Sequence, residues 1–343
     1  MRFNRLWLLL ALLLLLSPGI WLVFLGMSQG YDVPRGLVGA VRSVTGQDLV
    51  YSVPVVIDPD PIPAEHRRVV WTGDLANEQL KEASGLAPSY RKPDVYFSMN
   101  DSGNAAELFA LHSDGTHAGV WAINYSGRHD FEDMAAFAFN GERYLLVADT
   151  GDNLYWRPVV RLLIIAEPDL DRITEEPLEP AWVINLRYPE GPRDVEAVAV
   201  DEASEQVFLI SKRRIPPEIF SVPLRPDEEL VTATYLGRLE TLPQPSARDL
   251  REDPEWGSYR SSPTALGMKG DKAVVITYRD GYLFSRRKGE SWVDAFAKAP
   301  ERIPLPHLRG LEAGTFHASE NKFLIVNERK EGVGRASLYR VDL

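Results

Sequence analysis

The chain has 343 residues, with 38 Lys and Arg against 49 Asp and Glu, a net charge of −11, and no cysteine. The absence of cysteine excludes a disulfide framework, a zinc–thiolate or iron–sulfur centre and a thiol nucleophile. The acidic balance argues against nucleic acid as a partner, because phosphate-backbone binding needs a basic face, and an apolar share of 45% excludes wholesale disorder.

From the N-terminus, Arg2 and Arg5 precede an uncharged apolar run over residues 6–27. The run exceeds the ~7–15 apolar residues of a signal-peptide core and can cross ~30 Å of hydrocarbon. Residues 1–28 therefore read as a signal-anchor helix or a signal peptide, in which Ser17, Pro18 and Gly19 mark either a kink or a cleavage region. With both arginines inside, the remainder is exported. The expectation is a membrane-anchored cell-envelope protein with its domain on the periplasmic or extracellular side. Residues 29–67 carry Pro34, Pro54, Pro59, Pro61 and Pro63 and read as an extended linker. The alternative is a strand-bearing edge of the domain built on residues 49–57.

Residues 68–343 read as one β-domain. Short β-branched or aromatic runs at 69–71, 95–97, 144–147, 207–210, 273–276 and 323–326 are bounded by turn residues, and no long amphipathic helix competes with them. A template recurs, with Ser or Glu first and a small residue fourth, beginning at Ser84, Glu132, Glu196, Ser262 and Glu312. Each copy opens a strand, and the polar end of the following strand comes about one hairpin later. This period fits propeller blades of ~40–50 residues plus loops. The fold class expected is an all-β, five-bladed β-propeller whose last blade is closed by the free strand at 68–75. A sixth blade within 167–185 or 233–258 remains an alternative.

In such a blade the innermost strand begins on the face where the second strand ends, so the five first positions and the five polar tips meet at one mouth of the axis. Glu132, Glu196 and Glu312 would then repel, and must take up protons, find basic partners or bind a cation. With Ser84 and Ser262 completing an oxygen-only set, the ion that fits is Ca²⁺, which takes ~6–8 oxygens. The competing reading is that Lys212, Arg213, Arg279 and Arg329, placed at the same mouth, pair with the glutamates and stitch the blades. Asp101, Asp149 and Asp152 are candidate bases for a hydrolysis in which the ion polarises an ester or phosphoryl oxygen, although Asx–Gly turns alone explain Asn100 to Gly103 and Asp149 to Asn153. Asp130, Arg193 and Asp194, just before two of the glutamates, would lie in a second layer around the ion. No GxSxG, HExxH, P-loop or dinucleotide-binding fingerprint is present.

The Ser, Glu, Glu, Ser, Glu series at successive inner strands resembles that of the calcium-activated nucleotidases (apyrases), five-bladed propellers with one axial calcium. The resemblance covers roughly 84–343 as an arrangement, with slight local identity. It implies cleavage of nucleoside phosphates, with Lys212, Arg213, Arg279 and Arg329 gripping the phosphates; Asn100, at the polar tip of the first repeat, is a further substrate-binding candidate. The phrases SGLA, NDSG, FEDMA, DTGDN and DVEAVA are also similar to an uncharacterised bacterial propeller group of phytase-like or lactonase-like style, which implies no reaction. Two functions are thus expected. One is a calcium-dependent hydrolase of a phosphate-containing or other anionic ester. The other is a non-catalytic binding or scaffolding propeller of the cell envelope, with an envelope protein as its partner.

Overall fold

The computed structural model describes residues 62–63, 68–214, 216–243, 262–306, 308, 310–329 and 336–343. The expected N-terminal helix and most of the expected linker lie outside the described residues. Two strands precede the first complete blade, β1 (Ile62–Pro63) and β2 (Val69–Asp74). Blade 1 is β3 (Ala83–Pro88), β4 (Val95–Asn100), β5 (Glu107–His112) and β6 (His117–Ala122). Blade 2 is β7 (Phe131–Phe139), β8 (Glu142–Asp149), β9 (Val160–Ala166) and β10 (Pro180–Arg187). Blade 3 uses β11 (Val195–Asp201), β12 (Gln206–Ser211) and β13 (Glu218–Pro223). Its chain then visits blade 2 as β14 (Leu230–Thr232) before returning as the outer strand β15 (Thr234–Arg238). Blade 4 is β16 (Pro263–Lys269), β17 (Lys272–Thr277), β18 (Asp280–Ser285), the short helix α1 (Trp292–Phe296) and β19 (Glu301–Pro304). Blade 5 is β20 (Leu311–Phe316), β21 (Lys322–Asn327) and β22 (Ser337–Asp342).

The protein is therefore a five-bladed β-propeller. β2 supplies the fourth strand of blade 5, antiparallel to β22 with Val70 opposite Arg340, so the ring closes through the N-terminal strand as the repeat predicts. The described parts of the segments considered for a sixth blade go elsewhere: β10 completes blade 2 and β15 completes blade 3, while residues 244–258 lie outside the described residues. Two outer additions are not visible in the repeat. β14 pairs parallel with β10, Asn185 opposite Leu230, and ties blade 3 to blade 2. β1 pairs parallel with β19, Ile62 opposite Glu301, so part of the linker region adds to blade 4. Closure removes the free edges an open sheet would present.

The blades hold together through apolar layers between neighbours. Phe97, Trp121, Phe131, Leu145 and Leu163 fill the layer between blades 1 and 2. Phe208, Ile210, Tyr282, Phe284, Trp292 and Phe296 fill that between blades 3 and 4, where α1 packs beneath the sheet. Ser291 caps α1 by accepting the Asp294 backbone N–H. The inner strands are almost wholly buried because each has a blade on both sides: β3 and β20 have no exposed residue along their length.

Every inner strand is bulged at the same place. Pairing with the second strand skips one residue between Ser84 and Leu86, Phe131 and Asp133, Val195 and Ala197, Pro263 and Ala265, and Leu311 and Ala313. The extra residues are Gly85, Glu132, Glu196, Thr264 and Glu312. A bulge frees one residue from the ladder and re-aims its side chain, and here three of five are glutamates. The structural repeat thus differs from the sequence template in blades 1 and 4. Gly85 and Thr264 occupy the bulge, with Ser84 immediately before the first and Ser262 two residues before the second. Gly85 needs its positive φ of +72°, and a Cβ there would lie 2.6 Å from the Met134 nitrogen of blade 2.

Candidate metal centre

The bulges and the ends of the second strands meet at one mouth of the ring, where seven carboxylates gather: Asp101, Asp130, Glu132, Asp194, Glu196, Glu312 and Glu328. They form three overlapping triplets whose oxygens lie within 4.8 Å of one another: Asp101, Glu312 and Glu328; Asp101, Asp130 and Glu132; and Glu132, Asp194 and Glu196. Two oxygens each about 2.3–2.6 Å from one calcium lie at most about 4.6–5.2 Å apart, so a 4.8 Å spread is compatible with a shared ion. Asp101 and Glu132 each belong to two triplets, so the acids make one continuous arc.

Burial sets their electrostatics. Removal from water pushes the Glu196 carboxyl up to about 8, against the pull of Lys212, and Asp194 and Glu312 add to the rise. Burial likewise raises Asp130 to about 6, helped by Asp194 and opposed by Arg157. Glu132 and Asp101 are driven well above the usual carboxylate range by burial and then by neighbouring acids. Asp194 goes the other way, because Arg213 and Lys212 outweigh its burial and hold it low. Glu132 is only 4% exposed, and its carboxylate receives no hydrogen bond from any described residue. The backbone crowds it: a Cβ at Gly151 would overlap Glu132 Oε1 and lie 2.6 Å from Asp130 Oδ2.

The basic residues divide into those already engaged and one that is not. Lys212 Nζ bonds Glu196 Oε2 and lies 5.0 Å from the centre of the Tyr278 ring, whose hydroxyl donates to Glu312 Oε1 at 2.7 Å. Burial opposes the Lys212 charge, yet Glu196, Tyr278 and Glu312 together hold its ammonium well above the ordinary lysine range. Arg213 donates from Nε to Asp194 Oδ2 at 2.5 Å and from Nη2 to Asn153. Arg329 donates to the Leu75 carbonyl at 3.0 Å. Arg279 is exposed and pairs with no described residue. The ion-pair reading thus holds for Glu196 and Asp194 of blade 3, bonded to Lys212 and Arg213, whereas Asp101, Asp130 and Glu132 of blades 1 and 2 form an acidic group with no ion pair among the described residues.

The remaining expected residues are placed as follows. Ser84 lies at the mouth but donates its hydroxyl to the Glu132 carbonyl at 2.8 Å, a blade-to-blade bond repeated by Thr150 to Val195 and Thr264 to Leu311, each also 2.8 Å. Ser262 is buried at the start of β16. Asn100 braces the loop before β3: its Oδ1 accepts from Lys81 N at 2.9 Å and Glu82 N at 3.1 Å, and its Nδ2 donates to Gln79 O at 2.8 Å. Asp149 is fully buried and saturated by Arg157 at 2.7 Å, Tyr125 OH at 2.5 Å and Asp130 N at 2.9 Å. Asp152 accepts from the Trp156 and Arg157 nitrogens, both at 2.8 Å. Of the three candidate bases, Asp101 alone belongs to the acidic arc.

One residue escapes the sequence template. Asp133 is completely buried beside the axis, where its Oδ1 accepts from Met134 N at 2.8 Å while Oδ2 accepts from Val198 N at 2.8 Å and Leu266 N at 3.0 Å. It joins three blades through their inner-strand backbones. The signal was a carboxylate at the template's second position, where the other copies carry Gly85, Ala197, Pro263 and Ala313.

The chain matches no protein-family model and none of the curated proteins. Among solved structures it is similar to glutaminyl cyclase from Myxococcus xanthus, at 10% identity over 82% of this chain and 99% of that one, with a TM-score of 0.45. It is also similar to a chain of a nidogen/laminin complex, at 11% identity over 81% and 98% of the two chains and a TM-score of 0.38. A third is the β-propeller domain of Cps50 (Swd1) from Myceliophteria thermophila, at 10% identity over 75% and 82% and a TM-score of 0.35. Likeness this distant carries no activity over to this chain.

Proposed function

We propose that this protein is an exported, membrane-tethered propeller that binds one calcium-type cation in its acidic mouth and presents the loaded mouth to an anionic ligand or an envelope protein. The observation that carries the reading is the Glu132 carboxylate: buried, with no hydrogen-bond donor among the described residues, and within 4.8 Å of the oxygens of two pairs of further acids. A buried acid in that position takes either a proton or a cation. A hard divalent ion held by carboxylate oxygens, with water or a partner's oxygens completing its shell, satisfies the charge that neighbouring lysines and arginines leave uncompensated. The tether rests on the apolar run at 6–27 behind Arg2 and Arg5.

The binding reading stands ahead of the hydrolase because three of the four cations expected to grip a phosphate are engaged within the protein. Hydrolysis of a phosphate-containing or other anionic ester is the second reading. The exposed Arg279, which forms no ion pair with a described residue, and Asp101, whose carboxyl burial and neighbouring acids drive well above the usual carboxylate range, favour it. Equilibrium dialysis of the purified full chain against calcium, followed by metal analysis, tests the main reading. About one bound ion per chain is expected in the wild type and almost none in Glu132→Gln. A wild-type chain that retains no calcium contradicts it. Turnover of nucleotides or aryl phosphates, lost in Asp101→Asn, would promote the second reading.

A further inference from the structure

We propose that the ion binds off the propeller axis, between blades 1 and 2 on Asp101, Asp130 and Glu132, because the Lys212 ammonium already serves as the cation of the mouth's other half. This inference rests on the reading that the mouth binds a cation at all, and goes beyond it by assigning the ligands.

The two halves are built differently. Lys212 follows the end of β12 in blade 3 and reaches Glu196 of its own blade and the ring of Tyr278 in blade 4. Tyr278 in turn donates to Glu312 of blade 5. One buried ammonium thus links blades 3, 4 and 5 where a metal would otherwise be called for, and its side chain is only 9% exposed. Arg213 neutralises Asp194 beside it. The triplet Glu132, Asp194 and Glu196 therefore carries two internal cations, and in the triplet of Asp101, Glu312 and Glu328 the Tyr278 hydroxyl is already on Glu312.

Among the described residues, the triplet of Asp101, Asp130 and Glu132 has no such occupant. The nearest guanidinium, Arg157, is bonded to Asp149 at 2.7 Å and to the Gly151 carbonyl at 2.8 Å. Glu132 is more than nine-tenths buried, is aimed into this group and accepts no hydrogen bond from a described residue. The loop at Gly151 leaves no room for a side chain that could fill the space with an amide or an ammonium. Three carboxylates whose neighbouring cation, Arg157, is bonded to Asp149 and only pulls on Asp130 from outside the group suit a divalent ion; at the other half a second divalent ion would have to expel Lys212 from its bond to Glu196.

Calorimetric titration of the full chain with Ca²⁺ alone tests this, comparing Asp130→Asn, Glu196→Gln and Lys212→Met with wild type. Asp130→Asn should weaken calcium binding by about tenfold or more, and by clearly more than Glu196→Gln does, because only the former loses a ligand. Lys212→Met, by vacating the ammonium position, should raise the stoichiometry from about one ion to about two. Should that variant fail to fold, the ranking of the other two decides. Binding that survives Asp130→Asn but collapses in Glu196→Gln overturns the off-axis site while leaving calcium binding intact. No binding in any chain, wild type included, instead overturns the underlying reading.

Discussion

At the scale of the residue, the mouth shows how one amino acid does different work according to what reaches it. Glu132 and Glu196 occupy the same bulge in neighbouring blades, yet Glu196 meets the Lys212 ammonium and Glu132 meets only other acids. Asp133, one residue beyond Glu132, is equally buried but satisfied by three backbone N–H groups from blades 2, 3 and 4. Asp133→Ala removes the acceptor for all three and leaves buried donors unpaired, each costing about 1–3 kcal/mol. The expected loss, about 3 kcal/mol or more in chemical denaturation, should be insensitive to calcium. Glu132→Gln should show the opposite pattern, with a metal-free stability equal to or above wild type and no response to calcium. Both outcomes separate a residue that pins the blades from one that waits for an ion.

At the scale of the element, the inner strand with its bulge is the unit that the sequence half reveals. Apolar runs bounded by turns, and the recurrence at Glu132, Glu196 and Glu312, were legible because strand patterning and the small fourth residue survive in every blade. The exact register was not, because a bulge inserts one residue without changing the pattern on either side; hence Ser84 and Ser262 stood where Gly85 and Thr264 bulge. Contacts that depend on loops were hidden altogether. Nothing in the run Asp149 to Asn153 announces that Arg157 and Tyr125 will saturate Asp149, or that Tyr278 will bridge Lys212 and Glu312. The loop after β8 supplies a test at this scale. Gly151→Ala places a methyl against Glu132 Oε1 and Asp130 Oδ2, so it should weaken calcium binding by about tenfold while shifting the calcium-free melting temperature by only a few degrees, read by calorimetry and thermal melting.

At the scale of the whole molecule, the ring is closed by β2 against β22 and stitched by β14 and β1. A chain cut after residue 74 lacks the closing strand and exposes the edge of β22; it should lose cooperative unfolding and associate, which light scattering would detect. Closure also fixes the acids in place, so their repulsion is borne by the folded state. Burial raises Glu196 from 4.5 to about 8 and Asp130 from 3.8 to about 6, and Glu132 and Asp101 are likewise driven well above their ordinary range. A carboxyl whose folded value lies above its unfolded value holds its proton more tightly in the native state. Its contribution is therefore fully present below about pH 4 and is lost as pH rises through the folded values towards about 8. Asp194, held low by Arg213 and Lys212, acts in the reverse sense but is a single group. A divalent ion bound as proposed would replace the protons and remove the penalty. The most direct measurement is thermal melting of the purified chain from pH 5 to pH 8.5, in chelator and in excess calcium. In chelator the melting temperature should fall as pH rises, and calcium should restore it by an amount that grows with pH; curves that coincide in chelator and calcium across the whole range would contradict a cation site in the mouth.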